Sequence, residues 1–376
     1  MNKRYGICAR CVMDTTDPEI TFDINGICNH CRNHDRVVRK TFLRDEEREL
    51  KLQQIIDKIK NEGEYSDYDC IMGLSGGVDS SYMAYLAKQL GLRPFAIHVD
   101  NGWNAELAIE NINNIVDKLG LNLHTCNINW EEFKDLQRSF LKASVIDIEM
   151  ITDHAIAAVL IREARKRNIK YILGGSNVAT ESGIPKSWSW LKSDLANIKA
   201  IQKKFGTKKI TSIPTYGTWK ILLNRYVIKR FEFVYLLDAV NYNKTNAMEV
   251  MSSELGWQYY GGKHYESVFT KFYQAYILPE KFGVDKRRAH LSSLIRNNEI
   301  TREESLKELE TPSYNPEDLR RDKELVLKRL GYTDKEFDEI MKRPIKSHMS
   351  YPYDLMPIYP LLVLLKMIKK YRTDAI

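Results

Sequence analysis

Long apolar runs are missing from this 376-residue chain. The one lipid-like run, Leu361 to Leu365, follows Pro357 and Pro360 and falls far short of the ~20 residues that a bilayer span needs. Cysteine is scarce as well: of 6, four stand in two close pairs, and only Cys70 and Cys126 lie elsewhere. A secreted fold stapled by disulfides is not expected from so few. The polar N-terminus offers no apolar core for a secretory signal, so the expectation is a cytoplasmic chain with reduced thiols and no stable membrane insertion. No Gly-Lys-Ser/Thr follows the turn at Ser75-Gly76-Gly77, which excludes a Walker A there. Internal repeats and low-complexity tracts are absent. Charge of one sign is in small surplus, +7 net, which suits anionic small substrates or RNA equally. At 43% hydrophobic and 28% charged residues, the composition is that of a globular protein with one large or two medium domains.

What is present centres on Cys70-Ile71-Met72-Gly73-Leu74-Ser75-Gly76-Gly77-Val78-Asp79-Ser80-Ser81. The run from Cys70 to Leu74 reads as a buried strand, and Tyr82, Met83, Leu86, Ala87 and Leu90 as the helix after it. A glycine turn between strand and helix binds phosphate. Glycines admit close approach, unpaired N–H groups point outward, and the helix dipole favours an anion. Asp79 is then the loop's Mg²⁺ contact. The plain alternative is an ordinary turn in which Asp79 favours the first helical turn electrostatically.

Further strands are read at 95–99, 122–128 and Tyr171–Leu173, with helices at 104–119 and 149–167. The alternation predicts an α/β fold, a doubly wound parallel sheet whose ligands sit at the carboxyl ends of its strands. Three strand ends should therefore meet one nucleotide. Leu74, Ser75, Gly76, Gly77, Asp79, Ser80 and Ser81 face the phosphates, His98 and Asp100 the adenosine, and Gly174, Gly175 and Asn177 form the opposite wall. Asp153 and His154 either border this site or are solvated.

Ahead of this domain, Cys8-Ala9-Arg10-Cys11 and Cys28-Asn29-His30-Cys31 are separated by sixteen residues. Two such knuckles point to a tetrahedral Cys₄ zinc site, with an iron–sulfur cluster as the competitor. Asp23-Ile24-Asn25-Gly26 reads as a hairpin turn, and His30 and His34 as surface residues. The expected organisation is a zinc module over 1–34, a connecting helix over 35–62, a nucleotide domain over 63–215 and a mostly helical substrate or oligomerisation region over 216–376.

In that last region 219–237 reads as a buried or subunit-interface helix, and 299–345 as three solvated helices with capping boxes at Thr301/Glu304 and Thr333/Glu336. Asp285 reads as an N-cap, followed by Lys286, Arg287 and Arg288. Three cations oppose the dipole of a first turn unless an anion is bound. A pyrophosphate-binding role for Lys263, Lys286 or Arg287 follows, against a salt-bridged surface. Trp188 and Trp190, in a polar turn-rich stretch, either stack on a sugar or base or pin their loop. The apolar C-terminal run ends in Lys369, Lys370 and Arg372 and is expected to dock on the body or on a second copy, so a homo-oligomer is compatible.

These motifs carry a resemblance. Ser75, Gly76, Gly77, Asp79, Ser80 and Ser81 match the SGGxDS signature of the PP-loop ATP pyrophosphatases. Cys8/Cys11 with Val12-Met13-Asp14-Thr15-Thr16-Asp17-Pro18, Cys28/Cys31, Gly174-Gly175-Ser176-Asn177 with Glu181, Gly262-Lys263-His264 and Lys286-Arg287-Arg288 together resemble the bacterial N-acetyl sugar amidotransferases. The resemblance implies that ATP adenylates the oxygen of a sugar acetamido group, that ammonia attacks and that AMP leaves. The result is an acetamidino sugar of a lipopolysaccharide O-antigen or flagellar glycan, nucleotide-linked or free. It implies ATP, Mg²⁺ and Zn²⁺ as cofactors, Asp79, Lys263, Lys286 and Arg287 as catalytic groups, and substrate contacts at Glu181, Trp188, Trp190 and His264. No nucleic-acid partner is implied.

The rival is a PP-loop tRNA thiolase, which needs sulfur-carrying cysteines near ATP. Cys70 and Cys126 both fall on predicted core strands. Neither stands in a glycine-flanked nucleophile turn, and residue 2 is Asn2, so ammonia is expected from a separate glutaminase docked on the zinc module or on 219–237.

Overall fold

The computed structural model describes residues 5–41, 45–181, 183–262 and 265–358. Helices α1 (Asn29–Thr41) and α2 (Asp45–Gly63) lead into a repeat of strands and helices. It runs β1 (Cys70–Gly73), α3 (Val78–Gln89), β2 (Pro94–Asp100), α4 (Glu106–Leu119), β3 (Asn122–Asn127), α5 (Trp130–Ala143), α6 (Met150–Lys166), β4 (Tyr171–Leu173) and α7 (Val178–Glu181). Next come α8 (Leu195–Phe205), α9 (Thr218–Leu223), β5 (Glu232–Val234) and α10 (Lys244–Leu255). The remainder is helical: α11 (Val268–Phe272), α12 (Leu278–Phe282), α13 (Arg287–Arg296), α14 (Arg302–Glu310), α15 (Pro316–Leu330) and α16 (Asp334–Lys342).

The strands form one sheet in the order β3-β2-β1-β4-β5, and every pairing is parallel. The period of two along β1 sends Cys70 and Met72 to a core with α3, α4 and α10, and Ile71 to a core with α5 and α6. Both faces are therefore covered, as a parallel sheet requires. Chain order runs outward to β3 on one side of β1 and to β5 on the other. The switch point lies between the carboxyl ends of β1 and β4, where such sheets bind ligands.

Several expectations need correction. The stretch 219–237 is not one helix: α9 continues as a π-turn over Asn224–Ile228, and the chain then enters β5. Its apolarity at 231–234 is that of a short strand paired to β4, with Glu232 opposite Tyr171. Helix α5 went unread, although Asn129 caps it by accepting from the Glu132 N–H at 3.1 Å and Phe133, Leu136, Phe140 and Leu141 share one buried face. Both capping boxes are present. The helices of 299–345 are not a solvated appendage, because Val326, Leu327 and Leu330 of α15 and Phe337 and Ile340 of α16 lie in the main core. His34 is buried rather than on the surface. The apolar run Leu361–Leu365 and its basic end lie outside the described residues.

Candidate nucleotide site, adjoining cavity and thiol centre

The loop after β1 leaves the sheet at its centre, with the Leu74 N–H still bonded to the Ile97 carbonyl at 2.8 Å. Gly76 takes φ +78°, and a Cβ there would stand 2.4 Å from the Ala108 carbonyl oxygen, so only glycine closes this turn. Trp257 Nε1 donates to the Gly76 carbonyl at 2.9 Å. Ser75 and Ser80 tie the loop to itself: their hydroxyls lie 3.1 Å apart, and the Ser80 Oγ accepts from the Ser75 N–H at 3.2 Å.

Helix α3 starts at Val78 with Gly77 as a cap that has no side-chain acceptor. The Tyr260 hydroxyl takes the Val78 N–H at 3.2 Å. First-turn N–H groups otherwise lack partners within a helix, and here that turn opens on a small cavity lined by Ser75, Asp79, Ser80, Lys244, Tyr260 and Glu266.

Asp79 is held rather than loose. Its Oδ1 accepts from the Tyr242 hydroxyl at 2.6 Å and from Asn177 Nδ2 at 3.3 Å. Burial first, then the Asp79 charge, pushes the Tyr242 phenol far up, so it stays a donor at any working pH. Burial and Glu266 do the same to Tyr260.

His98 gives a hydrogen bond from Nδ1 to the Leu74 carbonyl at 3.0 Å and meets Asn104 Nδ2 at 3.1 Å through Nε2. Through these two contacts the ring ties the start of the loop to the turn after β2. Asp100 closes its own turn by accepting from the Gly102 N–H at 2.7 Å and from Asn104 at 2.9 Å.

On the opposite wall a Cβ on Gly175 would touch the Ser80 N at 3.6 Å, and one on Gly174 would meet the Tyr235 ring at 2.9 Å. Asn177 caps α7 through the Thr180 N–H at 2.8 Å. The loop residues, His98, Asp100, Gly174, Gly175 and Asn177 are thus gathered at one end of the sheet. Asp153 and His154 stand apart: Asp153 pairs with Lys192 at 3.1 Å, and buried His154 bonds to the Lys192 carbonyl at 2.8 Å.

A larger cavity of about 400 Å³ adjoins the first, and Lys244 and Gly262 line both. Its walls come from α13 and the segment 308–313, with Tyr259, Tyr265, Lys286, Arg287 and His290 facing it. The structure resolves the conflict of three cations in one turn largely with internal acids. Arg287 pairs with Asp285 at 2.8 Å and donates to the Glu308 and Thr311 carbonyls at 3.2 and 2.9 Å, clamping one wall to the other. Arg288 pairs with Asp14 of the cysteine module at 3.0 Å. Among the described residues Lys286 keeps only a cation–π contact, with Nζ 5.8 Å from the centre of the Tyr273 ring.

Trp188 is wholly buried, and Trp190 stacks on His348 at 5.1 Å while its Nε1 donates to Asp194. Neither is among the residues lining the two cavities. Lys263, His264 and the side chain of Glu181 lie outside the described residues. Lys244, Tyr242 and Trp257 lie outside the motifs read from the sequence, whereas Tyr260 and Glu266 flank Gly262-Lys263-His264.

Behind Lys286 lies a buried group of charges. Lys192 bonds to both carboxylate oxygens of Asp147, at 2.7 and 2.9 Å. Glu149 Oε2 accepts from the Thr270 hydroxyl at 2.8 Å, and its Oε1 has no partner. Burial pushes the Glu149 carboxyl up to about 7, and Asp153 adds to this against the pull of Thr270 and Lys286. Burial likewise lowers the Lys286 ammonium. A carboxyl raised above its usual 4.5 binds a proton in the folded state that the unfolded chain has lost, so folding stability falls as pH rises from about 4.5 to about 7. Glu149→Gln should therefore stabilise the protein by roughly 1–3 kcal/mol near pH 8 and by little near pH 5. Denaturant melts at the two pH values check this, and equal effects at both would refute it.

The four module cysteines are buried, unbridged and mutually within 4.8 Å through their sulfurs. Cys11–Cys28 and Cys8–Cys31 sulfurs lie 3.7 and 4.0 Å apart. Four thiolates about 2.3 Å from one tetrahedral ion stand about 3.8 Å from each other. The spacing fits a single ion and is too tight to enclose several irons. Crowding also splits the thiols: mutual hydrogen bonds pull Cys8 down through Cys11 and bring Cys11 to about 6 through Cys28, while pushing Cys28 and Cys31 up. A divalent cation ends that competition by taking all four as thiolates. The hairpin between the knuckles is present, with Gly26 at φ +72° and its N–H bonded to the Asp23 carbonyl at 2.9 Å. His30 bonds to Asp17 instead of joining the sulfurs.

Comparisons with known proteins agree with this layout. Residues 266–366 match the family model described as LPS biosynthesis protein WbpG-like, C-terminal domain, and residues 51–209 match that of NAD synthase. The chain is 24% identical over 307 residues to the uncharacterized protein MJ1599 of Methanocaldococcus jannaschii, covering 81% of this chain and 93% of that one. It is 33% identical over 127 residues to a glutamine-hydrolyzing GMP synthase of Wigglesworthia glossinidia brevipalpis, covering 32% of this chain and 21% of that protein. A tRNA-specific 2-thiouridylase MnmA of Hahella chejuensis is 35% identical over 80 residues, 19% of this chain and 22% of its own. Among solved structures, the NH3-dependent NAD synthetase of Campylobacter jejuni aligns with 55% of this chain and 86% of its own at 17% identity, with a TM-score of 0.29.

Proposed function

We propose that this chain, whose residues 51–209 and 266–366 match the NAD synthase and WbpG-like C-terminal families, converts the acetamido group of a sugar to an acetamidino group with cleavage of ATP to AMP and pyrophosphate. The observation that carries this reading is the pair of adjoining cavities. One opens on the glycine loop, the other on α13 within the WbpG-like region, and Lys244 and Gly262 stand between them. Such a site suits a nucleotide and a second, larger substrate held side by side.

The amide oxygen attacks the α-phosphorus and pyrophosphate leaves, giving an O-adenylated imidate. Ammonia adds at the imidate carbon, AMP departs with the former amide oxygen, and a proton is lost to leave the amidine. The loop N–H groups and Lys244 hold phosphate charge, Asp79 with Tyr242 and Asn177 is the seat for Mg²⁺, and Lys286 faces the acceptor. Mg²⁺ would neutralise charge on the departing pyrophosphate. The four module cysteines hold zinc, and the chain works in the cytoplasm on a nucleotide-linked or free N-acetyl sugar of surface-polysaccharide biosynthesis.

A tRNA thiolase is the less favoured reading, because Cys70 lies wholly buried in the central strand with its thiol pushed far up by burial. Cys126 is buried on β3 and raised by burial and Glu163. The same burial leaves no cysteine to hydrolyse glutamine, so ammonia comes from a separate glutaminase. Chromatography of reactions with ATP, ammonium and candidate N-acetyl sugars should show AMP together with an amidine product. ADP, or AMP formed only with tRNA and a sulfur donor, would sink the proposal. Glutamine in place of ammonium should give no turnover until a cell extract is added; turnover at the ammonium rate without extract would refute the dependence on a partner.

A further inference from the structure

Helix α9 and its π-turn form the most exposed apolar feature among the described residues. Trp219, Leu223, Tyr226, Val227 and Ile228 are 49%, 49%, 68%, 70% and 57% exposed. Interleaved with them stand Lys220, Arg225, Lys229 and Arg230, all exposed, and 218–230 contains no acid. The element is held outward at both ends. Asp354 caps its start by accepting from the Thr218 N–H at 3.2 Å. At the turn the buried Asn224 side chain donates to the Phe231 carbonyl at 2.9 Å and accepts from the Arg230 N–H at 3.1 Å. It falls between the two regions that match known families, 51–209 and 266–366, so neither similarity accounts for it.

We propose that this ridge docks the protein on an anionic lipid surface. Charge decides between the occupants. A second copy meeting this face about a twofold axis would set these four cations against four identical ones, with no acid in the ridge to offset them. Anionic headgroups supply the missing charge. A convex ridge of tryptophan, tyrosine and aliphatic side chains rimmed by lysine and arginine is the composition that lies in the headgroup layer without spanning it. No helix among the described residues is long and apolar enough to cross a membrane. The ridge enters β5 at its amino end, whereas the glycine loop sits at the carboxyl ends of the strands, so docking leaves the nucleotide site open to solution.

The test is co-sedimentation of the full chain with vesicles of phosphatidylcholine alone or mixed with phosphatidylglycerol. Binding is expected to the mixed vesicles only and to be lost near 1 M salt, where screening is short-ranged. The double change Val227→Asp with Ile228→Asp should cut binding about tenfold or more while leaving the thermal midpoint unchanged, because both side chains face solvent. Arg225→Gln with Lys229→Gln should weaken binding and flatten its salt dependence. No binding by the unaltered chain, or equal binding by the aspartate variant, overturns the proposal. A dimer in light scattering that the aspartate variant dissolves would overturn it in favour of a protein interface.

Discussion

Asp79→Asn should lower AMP formation by about 10²–10³-fold while barely moving the thermal midpoint. Asparagine keeps an Oδ1 that accepts from the Tyr242 hydroxyl and from Asn177, so the two bonds that fix this side chain survive. Only the negative charge beside the glycine loop is lost, and with it the means of seating a cation against pyrophosphate. The paired control is Tyr242→Phe, which keeps the charge and removes one donor. That change should cost about 1 kcal/mol of stability and leave AMP formation within about tenfold of normal. Single-turnover assays with saturating ATP and Mg²⁺ separate the two. Full activity in Asp79→Asn would mean that the carboxylate serves only to hold Tyr242, and the cation seat would have to be sought elsewhere.

What the sequence disclosed follows the range of the forces involved. The strand β1, its glycine turn and α3 were legible because each depends on neighbours: the short apolar run of β1, the glycine pair that breaks it, the helical stripe after Val78. The two capping boxes and the CxxC hairpin are equally local. Strand β5 was not legible. Its three residues sit inside an apolar and aromatic stretch interrupted by charges, and only pairing with β4 makes them a strand rather than helix. Helix α5 is a different case, since its cap and apolar face were in plain view in the sequence.

The site divides the same way. Glycines, serines and Asp79 lie within one loop, but Trp257, Tyr260 and Tyr242 reach that loop from far along the chain, and no spacing rule announces them. The clash of cations at 286–288 is legible in the sequence, but not what relieves it. Its resolution was half local, through Asp285, and half distant, through Asp14 of the cysteine module.

That distant half ties the cysteine module to the wall of the larger cavity, and Cys28→Ser should expose what the tie does for the proposed reaction. The module grips α13 and α14: the Val12 N–H donates to Ser292 Oγ at 3.1 Å, Arg288 donates to the Val12 carbonyl at 3.0 Å, and Arg302 donates to the Cys8 and Cys11 carbonyls at 3.1 to 3.3 Å. Helix α13 opens with Lys286 and Arg287, which line the larger cavity. Loss of one thiolate leaves a three-ligand site, and in small modules ion binding supplies much of the folding free energy. The expected result is loss of bound metal by elemental analysis, zinc in the unaltered protein, and a fall in stability of several kcal/mol. Turnover that persists below the lowered midpoint should show a raised KM for the sugar with that for ATP less affected, because α13 walls the acceptor cavity and the glycine loop hangs from the sheet. Iron in place of zinc would correct the ion. A Cys28→Ser protein that keeps its metal would show that three thiolates suffice to hold the ion, and one that loses its metal yet keeps its midpoint would show that the knuckles hold the body together without it.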